Sequence, residues 1–238
     1  MSKFKIGIVI PCYNVKSQIL EVLKNINYSI INHVYLIDDK CPQNTGEYVN
    51  DIYKNSKLKI IFLKKNRGVG GATKVGFNYA LNDKCDLVIK IDGDGQHNPR
   101  EIRKFIKLFL KNNYYYIKGF RDFAKFQNFF QTPIIRIIGN LILTLFLRIH
   151  TRNFQLKDVV NGYFAIPSNI LNKINIRKIS NDFFFEQDLI LQISKLKFNI
   201  CETKIDTIYD VSESNLNIKK ILIPFFIKHV KLFLKTKR

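Results

Sequence analysis

The residues whose type and spacing best suit chemistry are Asp92 and Asp94, in the run Lys90-Ile91-Asp92-Gly93-Asp94-Gly95-Gln96-His97. Two carboxylates one residue apart, on a tight turn after a buried strand, are able to point at one hard cation. Such a cation bridges a diphosphate and neutralises charge as the diphosphate departs, a Lewis-acid effect worth several kcal/mol of barrier. A tenfold change in rate needs only about 1.4 kcal/mol. Gln96 and His97 are placed to add a ligand or a phosphate contact. Asp and Gly also favour plain exposed turns for backbone reasons, so the run alone leaves both readings open.

Three other polar runs follow the same logic. In Asp38-Asp39, one carboxylate suits the imide or amide N–H of a uracil or guanine base, and the other a loop or ribose. The same pair also suits a helix N-cap. Pro11-Cys12-Tyr13-Asn14 is a rigid turn whose Tyr13 ring is able to stack on a base, or an ordinary turn. Asn66-Arg67-Gly68-Val69-Gly70-Gly71-Ala72 is a glycine-rich loop opening a helix, where backbone N–H groups approach ribose or phosphate. A dinucleotide fingerprint needs Gly-x-Gly-x-x-Gly after the first strand. Here the sixth position is Thr73 and the loop follows the third strand, which counts against an NAD-binding oxidoreductase.

The elements that must position these residues are legible in the first hundred positions. Apolar runs at Lys5–Ile10, His33–Ile37, Lys59–Leu63 and Leu87–Ile91 read as strands covered on both faces. Helix-like stretches lie between them at Ser17–Tyr28, Glu47–Asn55 and Gly70–Leu81. This alternation predicts an α/β fold with a doubly wound, mostly parallel sheet flanked by helices. Right-handed crossovers then put the strand C-termini along one edge, where ligands of such sheets bind. Each polar run follows one strand, so all four are expected on one rim.

The second half is less regular. A helix is expected over Pro133–His150, with Arg136, Asn140, Thr144 and Arg148 as a narrow polar stripe on an otherwise apolar surface. It is shorter than the ~20 apolar residues that span a bilayer, and it carries internal Arg. A strand-like run follows at Val159–Ile166 and a helix at Phe185–Lys195. The stretch Ile218–Leu234 is apolar but laced with lysines, and Pro224 kinks it or begins its second part. The helix at Pro133–His150 and this basic C-terminus suit a surface that is half lipid and half water. A lysine beside an anionic leaflet contributes ~1 kcal/mol.

The 238 residues suit one α/β domain with or without an appendage. A hydrophobic share of 46% and a charged share of 24% argue against wholesale disorder. The net charge of +20 favours polyanions. No nucleic-acid-binding motif accompanies it, and a carboxylate-lined rim repels phosphates unless a metal is present, so no nucleic acid is expected as partner. A nucleic-acid-binding module, or a nucleotidyltransferase on a similar sheet, stays as the alternative. Cys12, Cys41, Cys85 and Cys201 are scattered without metal-ligand spacing, which argues against structural zinc and suits reduced thiols in the cytoplasm. The short run Ile6–Ile10 reads as a strand and not as a signal peptide.

Taken together, IPCYN (Ile10–Asn14), LIDD (Leu36–Asp39), NRGVGGA (Asn66–Ala72), KIDGDGQHNP (Lys90–Pro99), KGFR (Lys118–Arg121), DVVNGYFAI (Asp158–Ile166) and FFFEQDL (Phe183–Leu189) resemble family 2 glycosyltransferases of the GT-A fold. The likeness is to the subgroup of dolichyl-phosphate mannose synthase and the bacterial prenyl-phosphate glycosyltransferases. It implies a Rossmann-like nucleotide-diphospho-sugar transferase domain at 1–216 and a basic amphipathic tail at 217–238. It implies a metal cluster of Asp92, Asp94 and Gln96 that takes Mg²⁺ or Mn²⁺. Pro11, Tyr13, Asp38, Asp39, Gly68, Gly71, Asp92 and Gly93 then contact the nucleotide sugar. Arg121 stands where the family has an arginine, whose fork suits a donor diphosphate or an acceptor phosphate. Glu186 occupies the place of the acid that serves as base in inverting members, although a phosphate acceptor needs none. Asp158 orients the acceptor or Arg121.

The activity implied is an inverting transfer from a UDP- or GDP-sugar to a lipid-phosphate or saccharide acceptor, for cell-envelope polysaccharide. The protein is then cytoplasmic and peripherally bound to the anionic inner face of the membrane. Three features depart from what the resemblance implies: Val15 replaces a common Glu, the C-terminal transmembrane helices that several prenyl-phosphate enzymes add are not evident in this sequence, and the run Tyr209–Leu216 (YDVSESNL) lacks a lysine expected in mannose synthases.

Overall fold

A computed structural model describes residues 4–111, 115–122 and 134–206. Pro133, the run YDVSESNL and the tail 217–238 lie outside the described residues. Among the described residues seven strands form one sheet: β1 (Ile6–Cys12), β2 (His33–Asp38), β3 (Leu58–Phe62), β4 (Leu87–Lys90), β5 (Tyr116–Arg121), β6 (Phe164–Pro167) and β7 (Ile200–Ile205). Their order is β3-β2-β1-β4-β6-β5-β7. β1 and β4 are buried along their whole length, as expected of Ile- and Val-rich strands with both faces covered. β6 runs antiparallel to both β4 and β5, while all other pairs are parallel. The mostly parallel sheet is therefore as expected, with one reversed strand that hydropathy could not orient.

The helices are α1 (Ile19–Asn25), α2 (Thr45–Ile52), α3 (Gly68–Asn82), α4 (Ile102–Lys111), α5 (Ile134–Thr151), α6 (Ser168–Leu171) and α7 (Phe185–Lys195). They cover both faces of the sheet. Val9, Val88 and Phe164 pack with Phe77 of α3, Leu147 of α5 and Phe185 of α7. Ile8, Leu36 and Ile89 pack with Leu23 of α1, Val49 of α2 and Phe105 of α4. A Cβ on Gly76 would lie 2.3 Å from Val9 Cγ1, so only glycine lets α3 sit this close to β1.

Several boundaries differ from the sequence reading. β6 begins at Phe164 and not at Val159, because side chains close the preceding loop. Asp158 Oδ1 accepts the Asn161 N–H at 3.2 Å, and Asn161 Oδ1 accepts the Tyr163 N–H at 2.7 Å. β5, β7 and α4 were not anticipated as elements. β7 reads Ile-Cys-Glu-Thr-Lys-Ile and offers no apolar run. α4 carried a signal in Ile102, Phe105 and Phe109, which are buried at helical spacing behind an Asn98 cap.

Helix α5 is turned in an informative way. Asn140 and Thr144 of its polar stripe are buried, and Arg148 Nε donates to Leu156 O at 2.6 Å. Ile134, Ile138, Leu141, Ile142, Leu145 and Ile149 are exposed, so an apolar face points outward. No described helix is long and apolar enough to cross a membrane.

Candidate active site

Strand register builds one rim. Cys12 pairs with Asp38 and Asp38 with Phe62, while Val9 pairs with Lys90. The C-terminal ends of β1, β2, β3 and β4 therefore lie side by side. Asp38 and Asp39 divide their labour. Asp38 binds the chain that follows through both oxygens, accepting Cys41 N–H at 2.8 Å in the loop and Gly46 N–H at 2.7 Å in the first turn of α2. Asp39 Oδ1 accepts the Arg67 N–H at 2.7 Å, which ties the end of β2 to the glycine-rich loop. Burial raises the Asp39 carboxyl above its usual value, against those backbone hydrogen bonds. Tyr13 stands exposed beside this corner, next to Asn14 at φ 57°.

The glycine-rich loop is packed against protein. Gly68 adopts φ +76°, and a Cβ there would lie 2.6 Å from Asn181 O. The Gly71 N–H already donates to Asn181 O at 3.0 Å. These glycines thus dock the loop on the segment leading into α7, and that segment brings Glu186 to the rim.

At the end of β4 lies a buried charge cluster. Lys90 is fully buried, with Nζ 2.6 Å from Asp92 Oδ1 and 3.3 Å from Glu186 Oε1. Burial works against its charge, but Asp92 and Glu186 together keep the ammonium protonated beyond its usual range. Burial likewise opposes the Asp92 charge, yet Lys90 holds that carboxyl below its usual value. Burial raises the Glu186 carboxyl despite Lys90. Lys118 is also buried, donates from Nζ to Asn161 O, and is lowered to about 8 by burial. Burial drives His97 down to about 4, so its ring is neutral at pH 7. Its Nδ1 accepts the Asp92 N–H at 3.0 Å, and its ring stacks on Tyr163 at 5.0 Å. His97 therefore supports the turn through Nδ1.

Asp94 is different. Its carboxyl is raised to about 6, first by burial and then by the negative charge of Asp92. Among the described residues it forms no ion pair, and its Oδ1 accepts the Gln96 N–H at 3.0 Å. Asp92, Asp94 and the Gln96 amide offer oxygen donors of the kind a hard divalent cation takes, and such a charge would relieve the repulsion that Asp92 exerts on Asp94. Among the described residues no group of three or more His, Cys, Asp and Glu forms a ready-made metal site. A Mg²⁺-type ion commonly takes one or two carboxylates and completes its shell with substrate phosphates and water.

Arg121 ends β5 and is gripped by Asp158. Nε donates to Asp158 Oδ2 at 2.8 Å and Nη2 to Oδ1 at 3.2 Å. Asn140 Nδ2 donates to the same Oδ1 at 2.9 Å, and Thr144 Oγ1 to Asn140 Oδ1 at 3.2 Å. Burial opposes the Asp158 charge, but Arg121 outweighs it and the carboxyl is held at about 2. So engaged, Asp158 serves to hold the arginine. The sequence reading gave no role to Lys90, Lys118, Gly162 or Asn161. Lys90 was the one charge in an otherwise apolar strand, a signal that was available. Gly162 was not legible: a Cβ there would lie 2.4 Å from Lys90 Nζ and 2.6 Å from Asp92 Oδ2.

Residues 7–174 match the family described as Glycosyl transferase family 2. The chain is 27% identical to the UDP-N-acetylglucosamine–dolichyl-phosphate N-acetylglucosaminyltransferase of Methanococcus voltae, over 97% of this chain and 96% of that protein. It is 26% identical to the dolichol-phosphate mannosyltransferase of Pyrococcus furiosus, over 76% of this chain and 51% of that one. Glucosyl-3-phosphoglycerate synthase from Mycobacterium tuberculosis, solved with Mn²⁺, uridine diphosphate and glucosyl-3-phosphoglycerate, aligns with a TM-score of 0.70. That alignment covers 96% of this chain and 79% of that one at 13% identity, a likeness of fold.

Proposed function

The chain belongs to glycosyl transferase family 2 and has its GT-A fold, and on that premise we propose that it moves a sugar from a UDP- or GDP-sugar to a lipid phosphate at a membrane surface. Nucleotide-sugar-dependent glycosyl transfer is common ground with the relatives, and family membership sets aside the nucleic-acid-binding and nucleotidyltransferase readings. The observation that carries the proposal is the single rim where Tyr13, Asp39, Asp92 and Asp94 follow adjacent strand ends.

In this reading Pro11, Tyr13 and Asp39 take the nucleoside, and Asp38 and Gly46 fix the loop beside it. Asp92, Asp94 and Gln96 would hold Mg²⁺ or Mn²⁺, which when bound supplies Lewis-acid neutralisation of the departing diphosphate. An acceptor oxygen attacks the anomeric carbon as the bond from that carbon to the diphosphate oxygen breaks, and the electron pair leaves with the nucleoside diphosphate. Arg121, aimed by Asp158, pairs with acceptor phosphate or donor diphosphate.

A phosphate acceptor is favoured over a hydroxyl because Glu186, the candidate base, is buried and already paired with Lys90. The outward apolar face of α5 supports a lipid surface as the place of reaction, and the net charge of +20 supports an anionic one. The four thiols are free, which suits the cytoplasmic side.

The test is a thermal-shift panel of UDP, GDP and their sugars with and without Mn²⁺. One nucleotide family is expected to stabilise the protein only with metal, and Asp94→Ala to abolish that shift. Metal-independent shifts of equal size in both proteins would reject the assignment. Transfer of labelled sugar to a polyprenyl phosphate but not to the matching polyprenol tests the acceptor; transfer to the alcohol reinstates Glu186 as base.

A further inference from the structure

Lys90 is the least expected side chain of the pocket. It is the last residue of β4, near the middle of the sheet, between β1 and β6. It shares a sheet face with Val88, which lies in the same apolar cluster as Phe185 and Leu189 of α7. An apolar residue suits such a position, and a buried charge there costs several kcal/mol unless it is well paired. The pairing is with two acids from distant parts of the chain, Asp92 at 2.6 Å and Glu186 at 3.3 Å. A third segment makes room for them, since any side chain at Gly162 would collide with both Lys90 Nζ and Asp92 Oδ2. Asp92 thus has one acid, Asp94, two residues on and another, Glu186, across the ammonium, although the three do not converge into a ready-made metal site among the described residues. Lys90 stands between Asp92 and Glu186.

We propose that Lys90 is a positioning residue that divides the acids of the pocket, leaving Asp92 with Asp94 as an open two-carboxylate cation site and withholding Glu186 from the cation. The open site keeps coordination positions for the donor's phosphates, and Glu186 stays on the α7 side of the pocket. This rests on the cation-assisted reading given above. It follows that the ammonium lowers cation affinity, because it shares the Asp92 carboxylate with the cation and repels it. A residue that merely filled space or held the fold would have the opposite effect or none.

The experiment is titration of the full chain with Mn²⁺ alone, at fixed neutral pH, followed by calorimetry, for wild type, Lys90→Met, Glu186→Gln and the double variant. Lys90→Met leaves Glu186 uncompensated and is expected to bind Mn²⁺ about tenfold or more tightly, while kcat with donor and acceptor falls. The double variant restores the net charge of the cluster but still frees Asp92 from the ammonium, so it is expected to bind less tightly than Lys90→Met and more tightly than wild type. Glu186→Gln leaves Lys90 to Asp92 alone and is expected to weaken Mn²⁺ binding severalfold. That arm stands by itself if the orphaned carboxylate prevents Lys90→Met from folding. Unchanged or weaker binding by a folded Lys90→Met, or unchanged binding by Glu186→Gln, overturns the role of Lys90 and leaves the cation site intact. Failure of wild type to bind Mn²⁺ at all overturns the cation reading and this inference with it.

Discussion

Replacing Asp158 by Asn tests the reasoning about buried charge most directly. The carboxylate is fully buried and accepts from Arg121 Nε, Nη2 and backbone N–H, from Asn140 Nδ2 and from the Asn161 N–H. Whichever way an Asn amide is turned, its NH₂ group faces at least two of these donors. The charge itself has a measurable share. A carboxyl lowered from 3.8 to about 2 stabilises the folded state by about 2 kcal/mol at neutral pH, at 1.36 kcal/mol per unit. Orphaning a buried charge typically costs ~3–5 kcal/mol, and Arg121 keeps 19% side-chain exposure, so the lower end applies. Asp158→Asn should therefore lose about 3 kcal/mol.

Because the folded value is depressed, the Asp158 contribution is complete above about pH 4 and is lost as pH falls towards 2. Urea denaturation of both proteins from pH 7 down to pH 3 is the assay. The gap between them should be widest at neutral pH and should narrow below pH 4. A gap under about 1 kcal/mol, or one that stays constant with pH, would refute the claim that the ionised carboxylate is what Arg121 holds.

Other outcomes follow from the same geometry. Gly162→Ala should cost about 1–3 kcal/mol by forcing Lys90 and Asp92 apart, and should lower activity more than Ser substitution at exposed Lys24 does; equal activity would show that the cluster tolerates displacement. Asp38→Asn should destabilise by about 1–2 kcal/mol, since one of two backbone N–H groups would face its amide nitrogen, with unfolding as the readout. Changing Ile138, Leu141 and Leu145 together to Ser should leave melting nearly unchanged and reduce sedimentation with anionic liposomes. Unaltered sedimentation would move membrane contact elsewhere. High salt should weaken liposome binding by the wild type, and binding indifferent to salt would remove its electrostatic part.

Much of this protein is written in local pattern. The four strand runs of the first hundred residues, their intervening helices and the polar residues ending each strand follow from hydropathy with period and length. A parallel α/β sheet then has only one edge on which those ends can meet. Asp39, Asp92 and Asp94 were therefore legible as rim residues before any coordinates. What pattern could not supply is whatever depends on contact between distant segments. The reversal of β6, the Lys90–Glu186 pair across the chain, the grip of Asp158 on Arg121 and the space reserved by Gly162 all arise from packing. The outward turn of the α5 apolar face is of the same kind, because its polar stripe finds a buried partner in Asp158 that no helical periodicity reveals. The sequence sets which residues reach the edge of the sheet, and tertiary packing decides which of their charges meet a partner, because Coulomb and desolvation energies depend on distance and burial and not on order along the chain.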